Sequence, residues 1–326
     1  MKVKAAYKLA AVLASSMAVV AVLAVLALTV RTKVYTVGVV NINPGLESVI
    51  DGFKAGMTEA GFKEGKDIVY LYKGVLNINR VDAALQELAG RHVDLVLAVT
   101  TPVAQKAARA VNGTKIPVVF APVFFPLESG LVKSLTHPGG NLTGVQVGGS
   151  TEKALELHKA IASGTRRILV PFVPADKSAG QCLTDLEKAA KKLGIDLDVV
   201  EVRTLENLRS VLADIPDNDD AVWLLNSHFL VSHTNIFVEA AIRHKLPLSS
   251  GTSQYNSGVM LSYGQDPFLT GRQASRIGRA ILNGTAPGDI PVETSDFFLG
   301  VNLRTAHAVG VEIPSEILQQ ASYIVR

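Results

Sequence analysis

The most constraining feature of the sequence is an alternation, from residue 35 onward, between short apolar runs and longer segments with helical spacing. Residues 35–40 have the composition of a fully buried strand. Residues 46–57 then place their apolar side chains on one helical stripe, and Gly61 supplies a C-cap. Strands separated by helices of about 10–15 residues are typical of βαβ units, so the sequence predicts α/β structure with mainly parallel sheets flanked by helices.

The alternation restarts after a break, which predicts two similar α/β halves. Turn residues fill positions 137–141, and 148–150 have the composition of a hinge. Two open parallel sheets that face each other form a cleft at the carboxyl ends of their strands, and such a cleft can close on a small molecule. Strands are predicted at 68–72, 95–99, 118–120 and 142–147 before the hinge, and at 168–173, 196–202, 222–225 and 259–263 after it.

The first 33 residues carry an apolar segment with basic flanks. Residues 9–30 contain no charge and would span roughly 33 Å as a helix, enough for a bilayer core of about 30 Å. The flanking charges favour an internal N-terminus and an exported remainder, hence a periplasmic location. Two interpretations stay open: an uncleaved signal anchor, or a signal peptide cut after residues 25–27. The basic flanks are Lys2, Lys4 and Lys8 before the segment and Arg31 and Lys33 after it.

The charge of the chain is concentrated in this leader. The formal net charge of +3 arises from 32 basic and 29 acidic residues, and all five flanking cations precede the first acidic residue, Glu47. Without them 27 basic residues face 29 acidic ones, a balance of −2. The exported part therefore lacks the excess of basic residues that is typical of nucleic-acid-binding proteins, and we expect no nucleic acid as a partner.

No motif for catalysis, a metal or a cofactor is present in the sequence. No G-x-G-x-x-G follows the first strand, no G-x-S-x-G occurs, and residues 148–151 lack the lysine of a phosphate-binding loop. The seven histidines are scattered, and the single cysteine, Cys182, excludes an intramolecular disulfide. We therefore expect no catalytic residues, no metal and no cofactor, which favours a binding protein over an enzyme.

Several short motifs follow one another along nearly the whole exported part. They are NPGLE at 43–47 with DGF at 51–53, GFKEGK at 61–66, IPVVFA at 116–121, GLVKSL at 130–135, PGGNLTGV at 138–145, YG at 263–264, GRQ at 271–273, ILNG at 281–284, DIPVE at 289–293 and NLRTA at 302–306. In order and spacing they resemble the ABC-transporter substrate-binding proteins of the tryptophan/tyrosine type, a branch of the type I periplasmic-binding-protein superfamily.

The resemblance implies a two-lobed type I periplasmic-binding-protein-like fold with lobes interleaved in sequence. The N-terminal lobe would comprise residues 34–146 and 266–286, and the C-terminal lobe residues 147–265 and 287–326. The implied function is capture of a small organic ligand, an aromatic or apolar amino acid among the candidates, in the inter-lobe cleft for an ABC permease. A membrane-anchored ligand-sensing domain that acts on a partner protein is the alternative.

Two features depart from the family pattern. After the strand that ends near Phe120, the family often has an aspartate before a proline, whereas here Phe125 precedes Pro126. An amine-binding carboxylate is therefore not expected at this rim. The second departure is an N-terminal segment that no lipid-bearing cysteine follows.

We expect the ligand to contact loops at the strand ends of both halves. Thr101 begins a helix with Pro102, so its hydroxyl would receive a ligand carboxylate, cap that helix, or do both. Phe124 would stack on an apolar or aromatic ligand or belong to the core. Asp266, at a crossover between the halves, would accept a bond from a ligand amine or hydroxyl. The full set of expected ligand residues is Asn41, Asn43, Thr100, Thr101, Val123, Phe124, Phe172, Asn226, Ser227, Ser250, Gly251 and Asp266.

Overall fold

The computed structural model describes residues 33–326, in which the β-branched runs form two sheets. Their strands are β1 (Tyr35–Asn41), β2 (Ile68–Val75), β3 (Leu95–Ala98), β4 (Val118–Val123), β5 (Leu142–Gln146), β6 (Arg167–Phe172), β7 (Asp196–Glu201), β8 (Ala221–Leu224), β9 (Leu248–Ser250), β10 (Leu261–Gln265), β11 (Glu293–Thr294), β12 (Phe297–Asn302) and β13 (Tyr323–Val325).

Helices connect most of the strands. They are α1 (Glu47–Glu59), α2 (Val81–Gly90), α3 (Thr101–Ala110), α4 (Ser150–Ile161), α5 (Lys177–Leu193), α6 (Leu205–Ala213), α7 (His228–Val231), α8 (Thr234–His244), α9 (Pro267–Leu282), α10 (Leu303–Val309) and α11 (Ser315–Gln320). Local composition does not predict α4, because the glycines before it have the composition of a hinge, and it does not predict the short strand β9.

The two sheets share one strand order. The first sheet runs β2-β1-β3-β4-β5-β11 and the second β7-β6-β8-β9-β10-β12-β13. All neighbouring strands of the first sheet are parallel, and in the second only β10 and β12 are antiparallel. The prediction of two α/β halves with mainly parallel sheets is confirmed. The direction in which successive strands are added reverses beside β1 in the first sheet and beside β6 in the second. Open α/β sheets bind ligands at such a reversal point.

The described chain crosses between the two sheets three times. It leaves the first sheet after β5, returns through α9, and leaves again between β11 and β12. We propose that these crossings bound the lobes. The second N-terminal segment would then extend from residue 266 to Thr294 rather than to 286, because β11 pairs with β5.

Helix α9 returns to the N-terminal lobe by packing closely on α1. A Cβ atom on Gly271 would lie 2.0 Å from the carbonyl oxygen of Val49, and one on Gly52 would lie 2.0 Å from that of Phe268. Both glycines therefore permit backbone-to-backbone contact that any side chain would prevent. This contact fixes α9 on the N-terminal lobe and so ties the second crossing to it.

The core of the C-terminal lobe contains a fully buried imidazole, that of His158. Its Nδ1 lies 2.8 Å from the Ser249 hydroxyl and its Nε2 lies 3.1 Å from that of Thr165. Burial, with a smaller contribution from Lys159, lowers the pKa of His158 to about 4. The neutral ring is thus held by two hydroxyls and has no carboxylate partner among its hydrogen bonds.

We expect acid to destabilise the protein through His158. Between its unfolded pKa of about 6.5 and its native pKa, only the unfolded chain binds the proton, so the free energy of unfolding falls as the pH falls. The fall from pH 6.5 to pH 4.5 should amount to roughly 2 kcal/mol. Urea denaturation at both pH values measures it. His158→Gln should lose about this much pH dependence, and an unchanged slope would contradict the assignment.

Among residues 33–326, no helix combines the length and apolar character needed to cross a membrane. The signal anchor or signal peptide predicted for residues 1–33 lies outside the described residues, apart from Lys33. Both interpretations of that segment stay predictions.

Candidate functional site

Two connected cavities lie between the lobes, at the carboxyl ends of the strands. One, of about 120 Å³, is lined by the loops after β1, β3, β4, β6 and β8, and we call it the threonine cavity after Thr100 and Thr101. The other, of about 390 Å³, reaches the lobe crossings at Val147, Pro267 and Phe297, and we call it the hinge cavity. Six residues line both cavities: Asn43, Leu46, Pro122, Phe124, Asn226 and Val231.

Thr100 lines the threonine cavity and carries a hydroxyl without a hydrogen-bond partner. Its Oγ1 is buried and has no hydrogen-bond partner in the described structure. The residue adopts φ +88°, a conformation that is costly for a β-branched side chain and that clusters at functional sites. No side chain caps the helix α3 that follows. The N-terminus of α3 therefore has no side-chain cap, and Thr100 beside it has a hydroxyl without a partner.

Thr101 lines the threonine cavity and also makes a hydrogen bond that was not predicted. Its Oγ1 accepts a hydrogen bond from the backbone N–H of Phe124 at 3.1 Å. The interpretation that Thr101 caps its own helix is wrong, because Thr100 is the residue that precedes the helix and neither side chain caps it. Thr101 instead fixes the loop after β4 and so places Phe124 in the cleft.

The C-terminal lobe contributes a matching hydroxyl from Ser227. This side chain is only 2% exposed, lines the threonine cavity, and its Oγ has no partner in the described structure. A buried hydroxyl without a partner costs about 1–3 kcal/mol, so native structures rarely keep one without a reason. Thr100 and Ser227, each with an unsatisfied hydroxyl, thus line one cavity from opposite lobes.

Apolar side chains form much of the remaining wall. Phe124 lines both cavities, with Pro122 and Leu46 from the same lobe and Val231 from the other. The Phe124 and Phe125 ring centroids lie 6.2 Å apart, and both rings pack against the core of the C-terminal lobe. A ligand in the cleft therefore meets polar groups at the strand ends and an aromatic surface beside them.

Asn41 supports the cleft from behind rather than lining it. This fully buried side chain accepts a bond from the Asn43 N–H at 2.8 Å and donates to the Asn43 carbonyl and to Glu47 Oε1. Tyr72 donates its hydroxyl to the same Glu47 oxygen, and burial together with this bond raises the pKa of Tyr72 to about 12. The network holds the loop that carries Asn43 to the cavities.

The structure brings seven of the twelve expected ligand residues to the cavity walls: Asn43, Thr100, Thr101, Phe124, Asn226, Ser227 and Gly251. The other five, Asn41, Val123, Phe172, Ser250 and Asp266, line neither cavity. Val123 is fully buried in the N-terminal core, and Phe172 packs on the C-terminal core. Ser250 is also buried and donates to the Leu224 carbonyl at 2.8 Å. As ligand contacts, all twelve stay predictions.

Both carboxylate oxygens of Asp266 have partners within the protein. Oδ1 accepts the Leu269 N–H at 3.0 Å and so caps α9, and Oδ2 accepts the Tyr323 hydroxyl at 2.6 Å. The carboxylate raises the pKa of Tyr323 well above its ordinary value. Asp266 therefore joins the second crossing to the C-terminal strand β13.

We expect Asp266→Ala to cost stability rather than affinity. Loss of the cap and of the Tyr323 bond should lower the free energy of unfolding by about 1–2 kcal/mol. Ligand affinity should stay within about twofold. Denaturation and titration of the same sample measure both quantities, and a tenfold loss of affinity in a folded variant would place the carboxylate on the ligand instead.

Several cleft residues were missed from the sequence, among them Asp176, His228, Gln254, Gln265 and Phe297. Asp176 could have been placed at the cleft from the sequence, because it ends the turn after β6 and directly precedes α5. Gln254, by contrast, lies on a loop after β9, and without that strand its loop could not be placed at the sheet edge.

A larger groove, of about 540 Å³, lies between α1 and α9, away from the strand ends. Two of its arginines, Arg272 and Arg276, are paired with Glu59 and Glu293. Most of its lining comes from these two helices of the N-terminal lobe. The groove therefore lacks contributions from both sheets, and we place the candidate site in the inter-lobe cleft.

Comparison with known proteins identifies the family. The sequence profile described as "ABC transporter substrate binding protein" matches residues 35–325. The chain belongs to this family. Its fold is of the type I periplasmic-binding-protein kind, and the resemblance stated from the sequence motifs is confirmed. Substrate-binding proteins of this family are extracytoplasmic and serve an ABC permease with a small-molecule ligand.

Individual relatives cover most of the chain. A Clostridioides difficile protein named "Tyrosine-binding protein" is 28% identical over 257 residues, which are 78% of this chain and 74% of that protein. The crystal structure of a "conserved domain protein" from Vibrio cholerae has a TM-score of 0.80 and 28% identity, and covers 90% of this chain and 100% of the other. An ABC domain from Streptococcus pneumonia in complex with L-Trp also has a TM-score of 0.80 over the same shares. At 23% identity it shows the fold alone.

Proposed function

We propose that this substrate-binding protein captures a free amino acid with an aromatic or apolar side chain and presents it to an ABC permease. The single observation that carries the proposal is that Thr100 and Ser227, whose buried hydroxyls have no partner in the described structure, line one cavity from opposite lobes. A ligand that accepts or donates bonds to both would hold the lobes together. Capture would then be coupled to closure of the cleft.

The chemistry of the cleft supports an amino acid as the ligand. The hydroxyl of Thr100 and the uncapped N-terminus of α3 suit a carboxylate, since helix N-termini bind anions through free N–H groups. Phe124, Pro122 and Val231 suit an apolar or aromatic side chain. The relative named for tyrosine binding and the likeness to a domain in complex with L-Trp agree with this class.

We further propose that the protein binds its ligand without chemical turnover. Its one thiol, Cys182, is buried in the C-terminal core, and burial raises the pKa of that thiol to about 12, so it is no nucleophile near neutral pH. His158 is also buried away from the cleft lining. The proposal includes attachment to the membrane through residues 1–33, or release after cleavage.

Thermal denaturation of the full chain against a panel of compounds tests the proposed function. The panel contains the twenty amino acids, nucleosides, sugars and small carboxylic acids. We expect stabilisation by aromatic or apolar amino acids, following RT ln(1 + [L]/Kd), or about 2.7 kcal/mol at a hundredfold excess over Kd. Stabilisation by another class alone would overturn the proposed ligand. Stabilisation by a partner protein alone would favour the ligand-sensing alternative.

A further inference from the structure

The N-terminal lobe reaches the core of the C-terminal lobe through two adjacent side chains. Among the described, partly buried apolar side chains that pack against that core, only those of Phe124 and Phe125 belong to the N-terminal lobe. Both residues follow β4 directly, but Phe124 lines the threonine and hinge cavities whereas Phe125 lines neither. Phe125 therefore joins the two lobes from outside the walls of the candidate ligand site.

The Phe125 ring lies at the first crossing between the lobes. A Cβ atom on Gly148 would be 2.9 Å from Cε1 of this ring and 3.2 Å from its Cδ1, so the ring lies directly against the backbone of Gly148. With Cys182 and Trp223 of the C-terminal core, Phe125 lines a void of only about 10 Å³, which holds one water molecule at most. The ring is therefore closely packed against both the crossing and the C-terminal lobe.

Phe125 keeps this position in a costly backbone conformation. Its φ of +51° lies in the left-handed region, which is unfavourable for a bulky side chain. The surrounding loop holds it there, because the Ser129 backbone N–H donates to the Phe125 carbonyl at 2.9 Å and the Ser129 hydroxyl donates to the Phe124 carbonyl at 3.3 Å. Backbone strain that is held in this way clusters at functional sites.

The contact lies on the side of the cleft where the chain crosses between the lobes. The crossings leave or enter the first sheet beside β5 and β11 and the second sheet beside β10 and β12, whereas β2 and β7 form the opposite edges. A rotation of the lobes about these crossings would separate β2 from β7 and would move the Phe125 ring off the C-terminal core. Because exposure of an apolar ring to water is unfavourable, the contact favours the closed arrangement.

We propose that Phe125 is a positioning residue that holds the two lobes together before a ligand arrives and so sets the affinity of the cleft without touching the ligand. When only the closed arrangement binds, the apparent Kd is the intrinsic Kd divided by the closed fraction, so a contact that raises this fraction raises the affinity. Only the effect on affinity rests on the proposed function. The departure from the family pattern before Pro126 thus supplies an apolar contact between the lobes.

Distances between two spin labels on the full chain test the contact without any ligand. The labels are attached at Asn79→Cys and Arg203→Cys, since both residues are exposed and follow the edge strands β2 and β7 on opposite lobes. The native Cys182 is buried and should stay unlabelled. We expect Phe125→Ala to shift the distances in the ligand-free protein to longer values. Phe125→Leu keeps an apolar side chain and should shift them less.

Phe62→Ala is the matched control, because the Phe62 ring packs on Tyr35 within the N-terminal lobe. It should leave the label distances unchanged. Unchanged distances in Phe125→Ala, or an equal shift in Phe62→Ala, would overturn the role of Phe125. If Phe125→Ala does not fold, Gly148→Ala replaces it under the same criteria, because the new Cβ would displace the Phe125 ring.

Calorimetric titration with L-tyrosine, L-tryptophan and L-phenylalanine measures the effect on binding. We expect Phe125→Ala to bind about 10-fold more weakly each of these amino acids that the unsubstituted protein binds, and saturating ligand to restore the shorter label distances. Unchanged affinity beside longer distances would overturn the claim that the contact sets the affinity. If none of the three binds the unsubstituted protein, the proposed ligand fails, while the label distances still decide whether Phe125 holds the lobes together.

Discussion

The double variant Thr100→Val/Ser227→Ala should bind its ligand about 100-fold more weakly than the unsubstituted protein and yet be more stable in the absence of ligand. Each substitution deletes a hydroxyl that is buried and unpartnered in the described structure. In the complex each hydroxyl would contribute a hydrogen bond to a charged ligand, worth about 1.5 kcal/mol, so the loss of both should cost on the order of 100-fold in affinity. In the ligand-free protein each hydroxyl has lost its hydrogen bonds to water and gained none in the protein. Its removal should therefore raise the free energy of unfolding by about 1 kcal/mol.

The opposite signs separate a ligand-binding role from a structural one. Ser250→Ala is the control, since that hydroxyl is equally buried but donates to the Leu224 carbonyl. It should lower the free energy of unfolding by about 1 kcal/mol and leave affinity near its original value. Urea denaturation and calorimetric titration give both numbers. A destabilised Thr100→Val/Ser227→Ala protein with full affinity would show that the hydroxyls serve the fold.

Gly271→Ala should destabilise the protein by about 3 kcal/mol or more, the upper end of the usual cost of overpacking. Its new Cβ would lie 2.0 Å from the Val49 carbonyl oxygen, a distance that no rotamer change can relieve because the clash is with backbone. Helices α1 and α9 would have to separate, and α9 carries the chain from one lobe back to the other. Chemical denaturation measures the loss.

The same substitution at Gly180 provides the comparison. Gly180 lies in α5, and a Cβ built there meets no atom within 4 Å. Alanine is favoured over glycine in a helix, so Gly180→Ala should raise the free energy of unfolding by about 0.5–1 kcal/mol. Similar losses for the two variants would mean that the contact between α1 and α9 does not control stability.

Much of the fold could be predicted because the strands are buried on both faces and their apolar runs are continuous. The first strand and the helix after it lie within two residues of their predicted bounds. Strand β9 was missed because Leu248–Ser250 is only three residues long and ends in two serines. Its burial depends on neighbours in the sheet, which local composition does not reveal.

The candidate site was predicted in part for a similar reason. Strand ends located the loops with Thr100 and Ser227, which the structure brings to one cavity. The sequence did not reveal that Asp266 bonds Tyr323, because these residues are 57 positions apart and meet only through pairing of the last strands. Nor did it show that Asp176 lines the cleft, since its turn resembles an ordinary helix start.

Calorimetric titration of the full chain with L-tyrosine, L-tryptophan, L-phenylalanine and L-leucine tests the central claim, that the inter-lobe cleft binds an amino acid. We predict binding of at least one of them at one ligand per chain, with the affinity reduced about 100-fold in the Thr100→Val/Ser227→Ala protein. Binding with the same affinity to both proteins, or no binding of any amino acid to the unsubstituted chain, would contradict the claim.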